Sequence, residues 1–353
     1  MISSNIMSNA TNIAITNRAA DEALQAQDFA TEKVVNEWAA QLDCAEGSRA
    51  VYRRGLQQYF AWVSRTGRHL NAMTRADILQ FREGLLNGTA AAKGQPLSSL
   101  TAAAYLTALR LFYSWLESMG RYPNIAADIK RPHRQARFER QNLWNNEAAA
   151  LVQETAETGS LRDIAIINLL LRSALRCVEV SRANIGDLKQ RGGKFILEVQ
   201  GKGHTAKDNF VEVSGKTAAA IFAYLNAERK GAPASAPLFT AEPRNAGYLL
   251  AKAEAEGRAD AAKDIKEGRM TTRTISGIAK KHLKAIGLQG REYTAHSLRH
   301  TCGCSIIELT GDYRAAQLAL RHASPTTTQL YIYHMDAKQR LQAGIGDKID
   351  SLY

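Results

Sequence analysis

Cysteine is scarce in this chain of 353 residues. Cys44, Cys177, Cys302 and Cys304 are the whole complement, too few for a disulfide framework at this size, so reduced thiols are the simplest reading. On a helix Cys302 and Cys304 point to nearly opposite sides, which argues against a shared metal and makes them small core residues. Long apolar runs are missing as well. The most apolar stretch, Ile164 to Leu171, is too short to span a bilayer and runs into Arg172. The opening residues have no basic segment followed by an apolar run, so they form no secretory signal. No Walker or dinucleotide glycine fingerprint follows a strand, and the eight histidines and four cysteines show no zinc spacing. Neither a cofactor, nor a metal, nor a membrane partner is expected. Negative charge is also in deficit, with 34 Asp+Glu against 46 Lys+Arg and a formal net charge of +12. Such a field attracts polyanions, nucleic acid first among them.

What is present begins with a polar leader, 1–28. Helical periodicity follows in four stretches up to about residue 120. The first carries Val34, Val35, Trp38 and Leu42. The second is expected to start at a Ser48 cap and end near Gly67, with Val51, Tyr52, Leu56, Tyr59 and Phe60 along one side. The third runs from Thr74 to Gly88, and the fourth presents Leu100, Tyr105, Leu109, Phe112 and Leu116 before Gly120. Together they suggest a compact bundle.

Between Lys130 and Arg140 the five bases Lys130, Arg131, Arg134, Arg137 and Arg140 face one acid, Glu139, and Pro132 breaks any helix. That composition fits an exposed basic linker, whether a solvated connector or a strap across DNA. Beyond it come two more helices, then "KFILEVQ" and "NFVEVS", which alternate as strands around the turn "GKGHTAKD" and predict a β-hairpin. A further helix follows. The charged, Ala-rich segment at about 244–268 reads as an inserted helix or mobile loop, and helix dominates the remainder. Ile345, Ile349 and Leu352 make a small apolar stripe near the end.

His296 and Arg299 stand at i and i+3 in "AHSLRHTCG", so a helix would aim both at one anion. An imidazole moves protons, and a guanidinium offers paired donors to phosphate oxygens. Alone the pair is commonplace. It gains meaning from Arg176 and Glu179 in "SALRCVEVSR", Lys202 in "QGKGHTAKD", and His322 followed nine residues later by Tyr331 in "TTTQLY".

In these motifs and their order the chain resembles the tyrosine site-specific recombinases, the phage-integrase and Xer-type family, over roughly residues 29 to 340. The resemblance implies a mainly α fold with a small antiparallel β-sheet. A helical core-binding domain (29–128), the basic linker (129–141) and an α+β catalytic domain (142–353) would follow one another, the last ending in a tail for protomer contacts. It also implies a cytoplasmic, nucleoid-associated enzyme. Four protomers on two double-stranded core sites would exchange strands through a Holliday junction.

Tyr331 would be the nucleophile, leaving a 3′-phosphotyrosyl link and a free 5′-hydroxyl. Arg176 and Arg299 would clamp the non-bridging oxygens, and Lys202 would protonate the leaving 5′-oxygen. His296 and His322 would donate to phosphate or shuttle the tyrosyl proton, while Glu179 orients Arg176 or His296. Lys202 is preferred to Lys207 because the glycines of "GKG" allow a close approach to phosphate, which leaves Lys207 as a backbone contact. The family usually has glycine before its second histidine. Here that residue is Arg321, an additional candidate phosphate ligand. Two rival readings are a type IB topoisomerase and a non-catalytic DNA-binding protein of the same fold. His69, His133, His204, His282 and His334 are assigned surface or structural roles, and Tyr293, Tyr313 and Tyr333 packing roles.

Overall fold

A computed structural model of the chain describes residues 32–132, 141–201, 206–241, 246–322 and 350. Its contacts divide the chain into two units, Met1–Arg137 and Phe138–Tyr353.

The described part of the first unit holds four helices: α1 (Glu32–Ala40), α2 (Glu46–Arg65), α3 (Arg75–Asn87) and α4 (Ser99–Ser118). Helix α3 has the ends its sequence announces. The Thr74 hydroxyl accepts from the Asp77 amide while the Thr74 amide donates to Asp77 Oδ2 at 2.9 Å, an arrangement worth about 1 kcal/mol. Gly88 closes the helix at φ 95°. Helix α2 starts two residues before Ser48, at Glu46, after the N-cap Ala45, whose side chain makes no cap bond; Ser48 lies inside the first turn. On α4 the buried face is Leu106, Leu109, Phe112, Tyr113 and Leu116, and Leu100 is 64% exposed. The core is aromatic. Phe112 meets Trp38 and Phe60 edge-on at 5.9 and 5.6 Å, contacts that add about 0.5–1.5 kcal/mol each beyond their buried area. The Tyr59 and Tyr113 hydroxyls satisfy each other at 2.7 Å inside it.

The second unit opens with α5 (Asn145–Thr158), α6 (Leu161–Arg172) and α7 (Cys177–Arg182). Helix α6 is buried along Ala165–Leu171 because α5, α8 (Gly215–Glu228) and α12 (Ala295–Thr310) surround it. A three-stranded antiparallel sheet follows: β1 (Leu188–Arg191), β2 (Lys194–Val199) and β3 (Asn209–Val213), in the order β1-β2-β3. The register pairs Leu197 with Val211 and Phe195 with Val213, so Leu197, Val199, Val211 and Val213 turn into the core. The predicted hairpin is β2–β3. Strand β1, "LKQR", is exposed beyond Leu188 and has no alternation to betray it. The Ala-rich segment forms two short helices, α9 (Ala246–Ala255) and α10 (Ala259–Lys266), packed on each other. Helices α11 (Thr272–Ala285), α12 and α13 (Tyr313–Leu320) complete the described unit. No described helix is long and apolar enough to cross a membrane.

Candidate active site

Three helix ends meet in the second unit. After α6 the chain turns through Ala174 at φ 51°, and Arg176 then caps α7. The Arg176 amide donates to Glu179 Oε2 at 2.8 Å, and its Nη1 donates to Glu179 Oε1 at 2.8 Å. Glu179 is 1% exposed, so the carboxylate is shielded from water and its charge-assisted bond to the guanidinium is a strong one.

Helix α12 supplies the second group. Thr294 caps it by accepting from the His296 amide at 3.2 Å, which seats His296 and Arg299 on the opening turns. Arg299 is fully buried. Its Nη1 donates to the carbonyl oxygen of Ala174 and its Nη2 to that of Leu320, and Nη1 also lies 3.8 Å from Glu179 Oε2. The His296 and His300 rings meet edge-on at 4.6 Å, and His300 is buried.

Helix α13 ends in a Schellman motif. The His322 amide donates to Gln317 and the Arg321 amide to Leu318, at 3.1 and 3.0 Å, with Arg321 left-handed at φ 52° in the position that most often holds glycine. Its guanidinium does not face solvent. Nη2 donates to Glu179 Oε2 at 2.7 Å and Nη1 to the Ala319 carbonyl at 3.1 Å, leaving the side chain 9% exposed.

One carboxylate therefore holds Arg176 and Arg321 directly and stands near Arg299. Three guanidinium charges against one carboxylate leave an excess of two, an electrostatic demand for an anion. His322 feels it. Burial, then Arg299, Arg176, His296 and Arg321 in turn, push its imidazole down to about 4, so it is neutral at ordinary pH. Burial also lowers the Arg321 guanidinium, with Glu179 opposing.

Among the sequence-predicted residues, Arg176, Glu179, His296, Arg299, Arg321 and His322 gather here. Lys207 is ion-paired to Asp187. Arg182 Nη1 donates at 3.1 Å to the carbonyl of Gly201, which fixes the root of the "GKG" turn to α7; sequence reasoning did not single it out. Lys130 and Arg131 are exposed in the first unit. Lys202, Tyr331, Arg134, Arg137, Arg140, the leader and the apolar tail stripe lie outside the described residues. No group of three or more His, Cys, Asp or Glu gathers as metal ligands among the described residues.

Comparison with known proteins converges on one group. The Phage integrase family profile matches residues 141–338, and that of the phage integrase N-terminal SAM-like domain matches residues 35–120. The tyrosine recombinase XerC of Pelobacter propionicus is 30% identical over 80% of this chain and 83% of its own. The tyrosine recombinase XerD of Xanthomonas axonopodis pv. citri is 25% identical over 88% and 94%. Among solved structures, XerH in a post-cleavage complex with a palindromic difH substrate superposes with a TM-score of 0.63 at 18% identity, covering 85% of this chain and 80% of that one. A lambda integrase dimer on a COC′ core site gives 0.57 at 15%, covering 83% and 90%. At these identities the two structures speak for the fold.

Proposed function

The chain belongs to the phage integrase family and is a tyrosine recombinase; from that premise we propose how its own residues break and rejoin DNA, and on what. The observation that supports the reading most is the Glu179 hub, where Arg176 and Arg321 are bonded and Arg299 stands close, beside His296 and His322. A buried carboxylate surrounded by arginines orients cations without neutralising them, which suits a site for a phosphodiester.

In the proposed reaction Tyr331 Oη attacks the scissile phosphorus. The bond to the 5′-oxygen breaks, a 3′-phosphotyrosyl ester forms, and Lys202 delivers the proton that turns the departing alkoxide into a 5′-hydroxyl. Phenol, with a pKa of about 10, serves as both nucleophile and later leaving group. Arg176 and Arg299 oppose the charge that builds on the non-bridging oxygens. His296 donates to the phosphate. His322, neutral in the free protein, accepts the tyrosyl proton. A 5′-hydroxyl from the partner duplex then attacks the ester and releases Tyr331. Two rounds make and resolve a Holliday junction.

The substrate is double-stranded DNA carrying short inverted-repeat core sites, gripped by the helical unit (29–128), the linker (129–141) and the catalytic unit (142–353). The protein works in the cytoplasm on the nucleoid as a tetramer. The stripe of Ile345, Ile349 and Leu352 docks on a neighbour. An apolar groove of about 700 Å³ on the second unit, lined in part by Val152, Leu171, Ile306 and Leu309, is a fitting receptor.

The test is a covalent adduct. The core site is first mapped by footprinting the DNA around the gene, then nicked so that cleavage traps the enzyme. Wild-type protein is expected to give a band shifted on a denaturing gel. Tyr331→Phe should bind but give none, and Tyr333→Phe should keep the band. No adduct from wild type, or an adduct that survives Tyr331→Phe, overturns the reading.

A further inference from the structure

Arg321 occupies a position where a basic side chain is unexpected on two counts. The Schellman turn that ends α13 puts it at φ 52°, a left-handed conformation that strains an L-residue and not glycine. Its side chain then turns back from the surface into the catalytic unit. A residue needed only to close the helix, or only to touch a DNA backbone, accounts for neither feature.

We propose that Arg321 is a positioning residue for His322, tying the turn that carries His322 to the Glu179 carboxylate and hence to the Arg176 end of α7. The inference rests on the recombinase reading above and deepens it. Three observations carry it. Arg321 Nη2 reaches Glu179 Oε2 at 2.7 Å across 142 positions of sequence, so two otherwise separate helix ends are joined by one ion pair. Arg321 Nη1 bonds back to Ala319 at 3.1 Å, so the guanidinium is anchored at both ends. The carboxylate it joins is the one that orients Arg176, so the turn and the phosphate-facing arginine share one reference point.

Position and charge act together. Glycine could make the same turn, but with no link to α7 it would leave His322 on a freer hinge. The guanidinium is also one of the cations facing His322. The others are Arg299 and His296 from α12 and Arg176 from the α7 cap; Lys202 and Tyr331 lie outside the described residues. Added positive charge disfavours imidazolium, so Arg321 helps hold His322 neutral in the free protein.

The experiment compares wild type with Arg321→Gly and Arg321→Lys in the full chain. Imidazole NMR in the DNA-free protein, with His322 assigned by His322→Gln, reads its titration without any catalysis. Single-turnover adduct formation on the nicked core site is followed against pH, and affinity for the same duplex against salt. Arg321→Gly is expected to raise the His322 midpoint and move the acid limb of the cleavage profile up with it. It should slow cleavage at neutral pH on the order of tenfold to a hundredfold and leave DNA affinity within about threefold. Arg321→Lys, which keeps the charge and can reach the carboxylate, should restore most of the titration and part of the rate. If Arg321→Gly instead leaves the His322 titration unmoved, the proposal fails. If it weakens DNA binding and lowers the salt slope by about one, Arg321 is a phosphate contact. Failure of the underlying reading would look different, because wild type itself would then form no adduct while the free-protein titrations could still shift.

Discussion

Arg299 donates through Nη1 to the carbonyl oxygen of Ala174, a residue held at φ 51°, and through Nη2 to Leu320, the neighbour of Arg321 at φ 52°. These are the two described non-glycine residues with positive φ, and one buried guanidinium braces both turns. Strain of this kind gathers where the surroundings over-determine the backbone. A β-branched side chain tolerates the left-handed region worst, so Ala174→Val should lose more than about 2 kcal/mol and most cleavage. Ala174→Gly forfeits about 0.8 kcal/mol of buried methyl but gains about 1 kcal/mol of relief, and should stay within about 1 kcal/mol of wild type. Urea melts decide it. A valine variant as stable as the glycine variant would remove strain from the account.

What could be read from sequence depended on range. Thr74 and Gly88 mark their helix because caps act within one turn, and the alternation of "KFILEVQ" and "NFVEVS" is local too. Strand β1 escaped notice because "LKQR" buries almost nothing; it is held by pairing with β2 and by Lys189–Glu198 at 2.7 Å. On α4 Leu100 departs from the expected face: it is exposed, although Leu97 and Ala102 on either side of it pack into the core. In the site, the order of motifs announced Arg176, His296, Arg299 and His322. The inward turn of Arg321 was invisible, since its partner Glu179 is 142 positions away. His282, assigned only a surface or structural part, is 0% exposed between Glu154 and Asp163, and no short-range pattern links residues from three helices.

That buried cluster should make the catalytic unit acid-labile. His282 Nδ1 meets Glu154 Oε2 at 2.7 Å and Nε2 meets Asp163 Oδ2 at 3.3 Å. Burial alone would raise both carboxyls. For Glu154 the hydrogen bonds from Thr158 and His282 outweigh it, and for Asp163 the His282 bond and the charges of Arg162 and Lys281 do, so both sit below their ordinary 4.5 and 3.8. A lowered folded-state value means stability that is complete above the ordinary range and drains away as pH falls through the depressed values. Hydrogen exchange of α5, α6 and α11 should therefore accelerate below about pH 4.5. Asp163→Asn should flatten that dependence, and an unchanged acid slope in this variant would clear the cluster of responsibility.

DNA affinity should fall steeply with salt, because each phosphate neutralised by a Lys or Arg releases bound counterion. The net charge of +12 and the run from Lys130 to Arg140 motivate this. Changing Lys130, Arg131, Arg134, Arg137 and Arg140 together to glutamine should lower the slope of log K against log salt by about one per lost contact. If the slope of the five-fold variant matches wild type, the linker is a solvated connector and not a strap.

The two hairpin lysines can be separated by chemistry. Lys207 already holds Asp187, whose carboxylate also accepts from the Asn184 amide at 2.6 Å, so its ammonium is committed to the fold. Lys202 follows Gly201, whose carbonyl is tethered by Arg182, and is the proposed general acid. An alkoxide leaves poorly without a proton, whereas a thiol with a pKa of about 8.5 leaves unaided. On an all-oxygen nicked substrate Lys202→Ala should slow adduct formation by about 10²–10⁴. Replacing the bridging 5′-oxygen with sulfur should bring that variant close to wild type, since the step that needed the lysine no longer exists. Lys207→Ala should show the opposite pattern: a loss of thermal stability, a modest cleavage defect, and no rescue by sulfur. Rescue of Lys207→Ala and not of Lys202→Ala would exchange the two roles. A defect in Lys202→Ala that sulfur leaves untouched would mean that this lysine binds phosphate and the proton comes from elsewhere in the site.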